Sequence, residues 1–166
     1  MSASYFRTLI GYNRWAWSRV LDRVAELTAD EYSSRRFNFG SVRSTLGHIS
    51  GTEAAYLARL MGKPSPAPRT EDDFPTFEVL RRRWEQQFAE QKAFADSLTD
   101  EMVGQSFSYI AGNGRETTWR RELFLGQLLN HSTQHRAETA MAITEFGHSP
   151  GDLDVSLYVR ENGPTP

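Results

Sequence analysis

"WRRELFLGQLLNHSTQHRAETAMAITEF", residues 119–146, is the stretch whose reading decides the fold. Apolar residues recur in it at three- and four-residue steps, so it reads as one long amphipathic helix, with Gly147 and Pro150 as stop signals. At about 100° per residue, Phe124, Leu128, His131, His135, Ala142 and Phe146 project within one narrow sector. Two titratable rings are thereby expected in the middle of a core-facing stripe. A spacing of four puts their Cβ atoms roughly 5 to 6 Å apart, from where two imidazoles can reach one cation. The same spacing also suits two independent core histidines, each hydrogen-bonded.

Upstream, "QSFSYIAGNGRETTW", residues 105–119, has a short β-like run on each side of Asn113-Gly114, the usual type I′ pair. A small hairpin or extended excursion is expected before the last helix. A third helix carries Phe77, Leu80, Trp84, Phe88, Ala95 and Leu98 on one side, a stripe without an ionisable residue, and a dense charge mixture on the other. Before it, "GKPSPAPRTEDDFP", residues 62–75, is a polar connection stiffened by Pro64, Pro66, Pro68 and Pro75, long enough for a crossover. The second helix buries Val42, Leu46, Ile49, Leu57 and Leu60 and is capped by Ser41 or Ser44. "LTADEYSSRRFNFG", residues 27–40, is rich in cap and turn residues and joins it to a first helix whose stripe runs Phe6, Ile10, Asn13, Trp17, Val20, Val24, with Leu27 beyond. Four amphipathic helices predict an all-α protein, a four-helix bundle running up-down-down-up with a long crossover. There is no internal repeat. The last residues, from about 148, read as a tail laid over the surface of a single domain spanning 1–166.

Composition narrows the chemistry. A net charge of -2 offers no electrostatic footprint for nucleic acid or an anionic membrane, and leaves a small-molecule ligand open. Cys is absent, which removes disulfides, thiolate metal sites and a protein-borne cysteine nucleophile, so any metal must sit on His, Asp or Glu. "MSASYFRTLI" has no basic segment followed by an apolar one, and no stretch is long and apolar enough to span a bilayer. A cytoplasmic location is the expectation.

His48, in "STLGHISGTE", falls on the flank of the second helix's stripe beside Thr45 and Thr52, and is the other histidine inside a predicted helix. Taken alone, a flank histidine fits a surface or hydrogen-bonded core position. Together with His131 and His135 it would complete a three-imidazole ligand set with coordination positions left open. Ferritin-like di-iron chemistry is excluded by pattern: Thr45, Leu128 and Ser132 stand three residues before His48, His131 and His135, where glutamates would be required. Only Glu145 precedes His148 at that spacing, and Gly147 interrupts it. The metalloprotease HExxH motif is absent, because Ser132 follows His131.

"YNRWAW" in the first helix, "FGSVRSTLGHISGTE" opening the second and "NHSTQHRAE" in the fourth resemble the DinB/YfiT-like superfamily of four-helix-bundle proteins, and the likeness covers most of the chain. The resemblance implies that His48, His131 and His135 bind one divalent metal, and that the protein is a homodimer. Relatives include low-molecular-weight-thiol-dependent S-transferases and isomerases, which makes such a thiol an expected cosubstrate. Where members commonly carry "HRGQ", this chain has His135, Arg136, Ala137 and Glu138, and the carboxylate one turn past His135 changes the charge of the pocket.

Remaining residues have two readings each. Asn13, inside the first apolar stripe, either bonds a ligand histidine or lines the pocket, or is a satisfied buried amide. Arg136 fits an inter-element ion pair better than a substrate contact. Glu138 is the candidate catalytic base, or else an acceptor for a His or Arg. "RRRWE", residues 81–85, has acidic neighbours and reads as a solvated face, and Trp15, Trp17 and Trp84 read as core or dimer surface rather than a base-stacking platform. The functional classes are then a metal-dependent enzyme that activates a thiol or water nucleophile, as transferase or hydrolase, and a non-catalytic dimeric bundle that binds a metal or small molecule. Imidazole suits several metals, zinc or nickel first, with iron or manganese as alternatives. The pocket is expected between the second and fourth helices near Asn13.

Overall fold

Side-chain caps open several of the helices. A computed structural model describes residues 1–35 and 40–163; residues 36–39 of the turn-rich connection and 164–166 of the tail lie outside the described residues. Helix α1 spans Ala3–Val24, with the Ser2 side chain accepting from the Tyr5 amide. A short α2, Ala29–Ser33, opens on a capping box between Thr28 and Glu31. Both predicted cap residues act at the start of α3, Val42–Leu60, where Ser41 is the N-cap and Ser44 returns the reciprocal bond. A 3-10 turn, Glu71–Asp73, interrupts the proline-rich connection before α4, Phe77–Ser97. A short α5, Asp100–Gly104, leads into strands β1, Ser106–Ile110, and β2, Glu116–Arg120, which pair antiparallel; α6, Arg121–Glu145, and α7, Val155–Asn162, complete the order.

The protein is thus mostly helical with one small two-stranded sheet. Hydrogen bonds fix the direction of each long helix. Helices α1 and α6 run the same way: Met1 meets Glu122 at one end, Trp17 bonds Ser132 midway and Glu26 meets His148 at the other end. Helix α4 runs against α1, since Arg7 donates to the Leu98 carbonyl and Arg81 to Asp22. Helix α3 runs against α6, from His48 beside His135 to the Leu60 carbonyl beneath Arg121, and parallel to α4, with Ser50 bonded to Gln87 and Glu53 to Gln91. Two parallel neighbours in sequence need a connection that returns the length of a helix. Residues 61–76 supply it, passing so close to α3 that a Cβ on Gly51 would stand 3.1 Å from Arg69 Cβ and one on Gly47 3.2 Å from the Phe74 ring.

Two apolar clusters form the core. One gathers Trp17, Leu21, Leu46, Ile49, Trp84 and Ile143, with the two indoles 4.8 Å apart; the other gathers Phe6, Ile10, Leu57, Phe94, Phe124 and Leu128. Between them in every long helix lie buried polar residues: Asn13 on α1, Glu53 on α3, Gln87 and Gln91 on α4, Ser132 and Arg136 on α6.

That layer moves the phase of α6 from the one expected. Its buried face runs through Leu125, Leu128, Ser132, Arg136, Thr139 and Ile143, so His131 and His135 sit on its flank, half-buried, rather than mid-stripe. Counting apolar residues misplaced the axis because three residues at its centre are polar. The hairpin is present, but its turn differs. The Gly114 amide bonds the Ala111 carbonyl, no non-glycine described residue has positive φ, and Gly114 alone in the turn is left-handed at φ 78°. This is a type I turn followed by a left-handed glycine, not a type I′ pair, which would need positive φ at Asn113 also. Within the tail, α7 lies against α1: Tyr158 is buried, Tyr12 donates to the Leu153 carbonyl and Trp15 to Glu161. No helix among the described residues is long and apolar enough to cross a membrane.

Candidate metal centre

The antiparallel run of α3 and α6 brings His48 against His131 and His135. Ring centroids lie 5.6 Å apart for His48 and His131, 5.0 Å for His48 and His135, and 4.5 Å for His131 and His135. One ligand atom from each ring lies within 4.8 Å of the others, so the three form a group that could hold a metal ion. His131 Nε2 and His135 Nε2 are 3.3 Å apart. A tetrahedral cation bonded at about 2.0 to 2.1 Å holds its nitrogens about 3.3 Å from each other, which this pair already matches.

Protonation is prepared as well. Glu138 Oε2 stands 2.6 Å from His135 Nδ1, so the imidazole donates from Nδ1 to the carboxylate and turns the Nε2 lone pair into the group. Burial, then the neighbouring His135, lowers the pKa of both His48 and His131, with His48 adding to the effect on His131. Neutral imidazole is the ligating form. His131 Nδ1 is buried with no hydrogen-bond partner, so Nε2 is the atom with something to face. Three imidazole nitrogens, two of them on rings whose pKa is lowered, a carboxylate orienting the third ring and a ligand-like separation fit a divalent cation.

His48 opens onto a cleft of about 380 Å³ bounded by α3, the connection after it and the hairpin tip, with Tyr56, Arg59, Arg69 and Ile110 among its walls. The pocket therefore lies outside α3 and not near Asn13, as the sequence suggested. Asn13 makes no bond to an imidazole: its amide oxygen accepts from Arg136 Nη1 and from Ser132 Oγ at 2.8 Å, and its nitrogen is 3.4 Å from Glu53 Oε1. Arg136 is buried and bonds Asn13, Tyr12 and Thr133, a structural role as expected, though through neutral partners. Glu138 sits where the sequence put it, beside His135, with its second oxygen 3.3 Å from Gln134 Nε2.

Sequence reasoning passed over Glu53, only 1% exposed and bonded by Ser132, Gln87 and Gln91. The signal was available: Glu53 stands between Ile49 and Leu57 at the same four-residue step, in the middle of an apolar stripe. Gly47 and Gly51, flanking His48, were likewise unread. Each lets the connection lie flat on α3, which is what carries Arg69 to the edge of the cleft. Residues 1–165 match the model of the DinB family, and no curated protein matches the chain.

Proposed function

The chain belongs to the DinB family, and on that premise we propose that its four long helices form an up-down-down-up bundle whose His48, His131 and His135 hold one divalent ion in an enzyme of small-molecule chemistry. Convergence of three imidazoles, one of which opens onto a cleft, is the observation that carries this reading. Zinc or nickel is the first choice of metal, iron or manganese the alternative. When bound, the ion supplies Lewis-acid chemistry that brings a thiol or a water toward its anionic, nucleophilic form at neutral pH. Thiol transfer is the preferred reaction, hydrolysis its nearest alternative, and the lack of any Cys in the chain suits a borrowed low-molecular-weight thiol.

The chain's own residues have separable tasks. Glu138 holds a proton on His135 Nδ1 and fixes the ring's orientation, which makes it a positioning residue rather than a base in the cleft. Tyr56 packs its ring 5.8 Å from that of His131 and forms a wall on which a substrate can lie. Hairpin and connection close two further sides, so a nucleophile and an electrophile would share one partly dehydrated space.

Elemental analysis of untagged wild type is expected to find one divalent ion per chain, and each of His48→Ala, His131→Ala and His135→Ala is expected to lose it. Full metal retention by any two variants overturns the ligand set. A panel of low-molecular-weight thiols and water, tested against a chlorinated aromatic electrophile, separates transferase from hydrolase. If no nucleophile reacts faster with wild type than with His131→Ala, the non-catalytic binding bundle replaces both.

A further inference from the structure

Two guanidinium groups border the cleft, and no Asp or Glu lines it. Arg59 stands over two rings, 4.7 Å from the centroid of Tyr109 and 5.7 Å from that of Tyr56, and its one hydrogen bond among the described residues runs from Nε to Ser65 Oγ. Arg69 stands 5.7 Å from the Phe74 centroid and has no protein acceptor among the described residues. Several surface arginines are paired, Arg19 with Glu161, Arg23 with Glu26, Arg81 with Asp22 and Arg120 with Glu122, and others without an ion pair among the described residues, such as Arg82, Arg115 and Arg160, are exposed to water and do not border this cleft. Acids outnumber bases in this chain, 21 to 19, so the lack of a carboxylate beside Arg59 and Arg69 does not reflect a shortage of them.

Their surroundings hold them without satisfying them. Contact with an aromatic ring occupies the face of a guanidinium and leaves its N–H edge, the part that matches an oxyanion, uncommitted. Both side chains are half-buried, which limits the water that would otherwise stand in for a ligand. The close approach of Arg69 Cβ to Gly51 sets its backbone one helical turn past His48. Opposite, the hairpin presents Ile110 at 64% exposure, an apolar surface beside a cationic one.

We propose that this cleft takes a small organic oxyanion: a carboxylate or phosphate group is bound by the N–H edges of Arg59 and Arg69, with its apolar body against Tyr56 and Ile110. Which end of the ligand reaches His48 rests on the metal reading above; the anion site itself does not.

Calorimetric titration of the full chain with benzoate, phenyl phosphate and the uncharged benzamide tests it, in zinc-loaded protein and after removal of metal by a chelator, with metal content measured in the same samples. At least one anion is expected to bind about tenfold or more tightly than benzamide in both preparations, and the tighter of the two names the source of the charge. Arg59→Gln and Arg69→Gln are each expected to weaken it about tenfold, and Arg69→Lys, which keeps the charge and loses the fork, by less. Circular dichroism checks that the variants remain folded. Equal binding of benzamide, no measurable anion binding, or undiminished binding by the folded double Gln variant overturns the proposal. Binding that follows the metal and ignores the arginines overturns it while the metal reading stands; binding that needs the arginines but not metal supports it even if the ligand set fails.

Discussion

Glu53 carries a carboxyl group into the centre of the protein, and its hydrogen bonds decide its charge. Ser132 Oγ lies between Glu53 Oε1 and Asn13 Oδ1 and also accepts from Trp17 Nε1. Arg136 Nη1 donates to Asn13 Oδ1, which forbids turning that amide over. One hydroxyl proton cannot serve two acceptors. The count closes when Glu53 is protonated: it donates to Ser132, Ser132 donates to Asn13, and the other carboxyl oxygen accepts from Gln87 and Gln91. Burial raises the pKa of this carboxyl, and the bonds from Ser132, Gln91, Asn13 and Gln87 oppose that rise. Because the folded pKa exceeds the unfolded one, near 4.5, the native state binds the extra proton, and this contribution to stability is complete below that pH and is lost as pH rises toward the folded value. Glu53→Gln keeps a donor and an acceptor in the same places. Denaturant titrations from pH 4.5 upward are therefore expected to show a flatter dependence for Glu53→Gln than for wild type, with the variant equal or more stable at pH 7. Glu53→Ala, which strands the donors of Gln87 and Gln91, is expected to cost about 2–4 kcal/mol. A variant with the wild-type slope, or Gln as damaging as Ala, would show that the carboxyl is ionised.

At the scale of elements, α3 and the connection that doubles back on it form one unit, and the glycines are the reason. Adding a methyl group in a helix interior ordinarily stabilises by about 1 kcal/mol relative to glycine. At Gly47 the added Cβ would stand 3.2 Å from the buried Phe74 ring and 3.4 Å from the Thr70 carbonyl, and overpacking of that kind costs about 1–3 kcal/mol. Gly51 faces the backbone and Cβ of Arg69, on a stretch anchored by fewer buried groups. Gly47→Ala is thus expected to destabilise and Gly51→Ala to be near neutral in urea denaturation; a stabilised Gly47→Ala would mean that the connection yields freely. These glycines also mark what the sequence could and could not reveal. Caps at Ser41 and Gly147, the proline run and the apolar periods made four long helices and a hairpin legible, because those signals are local. Whether a glycine or a glutamine faces a partner is a tertiary fact. Nothing local in the sequence distinguishes Gln87 and Gln91, which face Glu53, from glutamines that face water, and α7 escaped because its eight residues bury only Tyr158. His48, His131 and His135 were legible as a set, since their spacing survives the change of phase in α6. Arg59 and Arg69 were not, because their meaning is the absence of a partner.

For the whole molecule, the outer face of α6 poses the remaining question. Opposite Ser132 on that helix run Leu123, Gln127, Asn130, Gln134, Ala137 and Met141, uncharged over about five turns until Glu145 at the helix end, whereas the outer face of α4 is crowded with arginines and glutamates. Leu123 is 56% exposed and Met141 61%, and Tyr5 on the neighbouring α1 is exposed too. Depletion of charge with apolar residues held in water is the composition of an interface core rather than of a solvated helix. A two-fold dimer needs only one self-complementary patch, and two antiparallel copies of α6 would set Leu123 of one near Met141 of the other. The histidines lie on a different flank of α6, so pairing through this stripe leaves the cleft open, and the proposed homodimer is compatible with two independent sites. Sedimentation at micromolar concentration is expected to give a dimer for wild type and a monomer for the double variant Leu123→Glu, Met141→Glu, with metal content unchanged in both. Wild type that sediments as a monomer removes the dimer; a double variant that stays dimeric moves the interface to another face of the molecule.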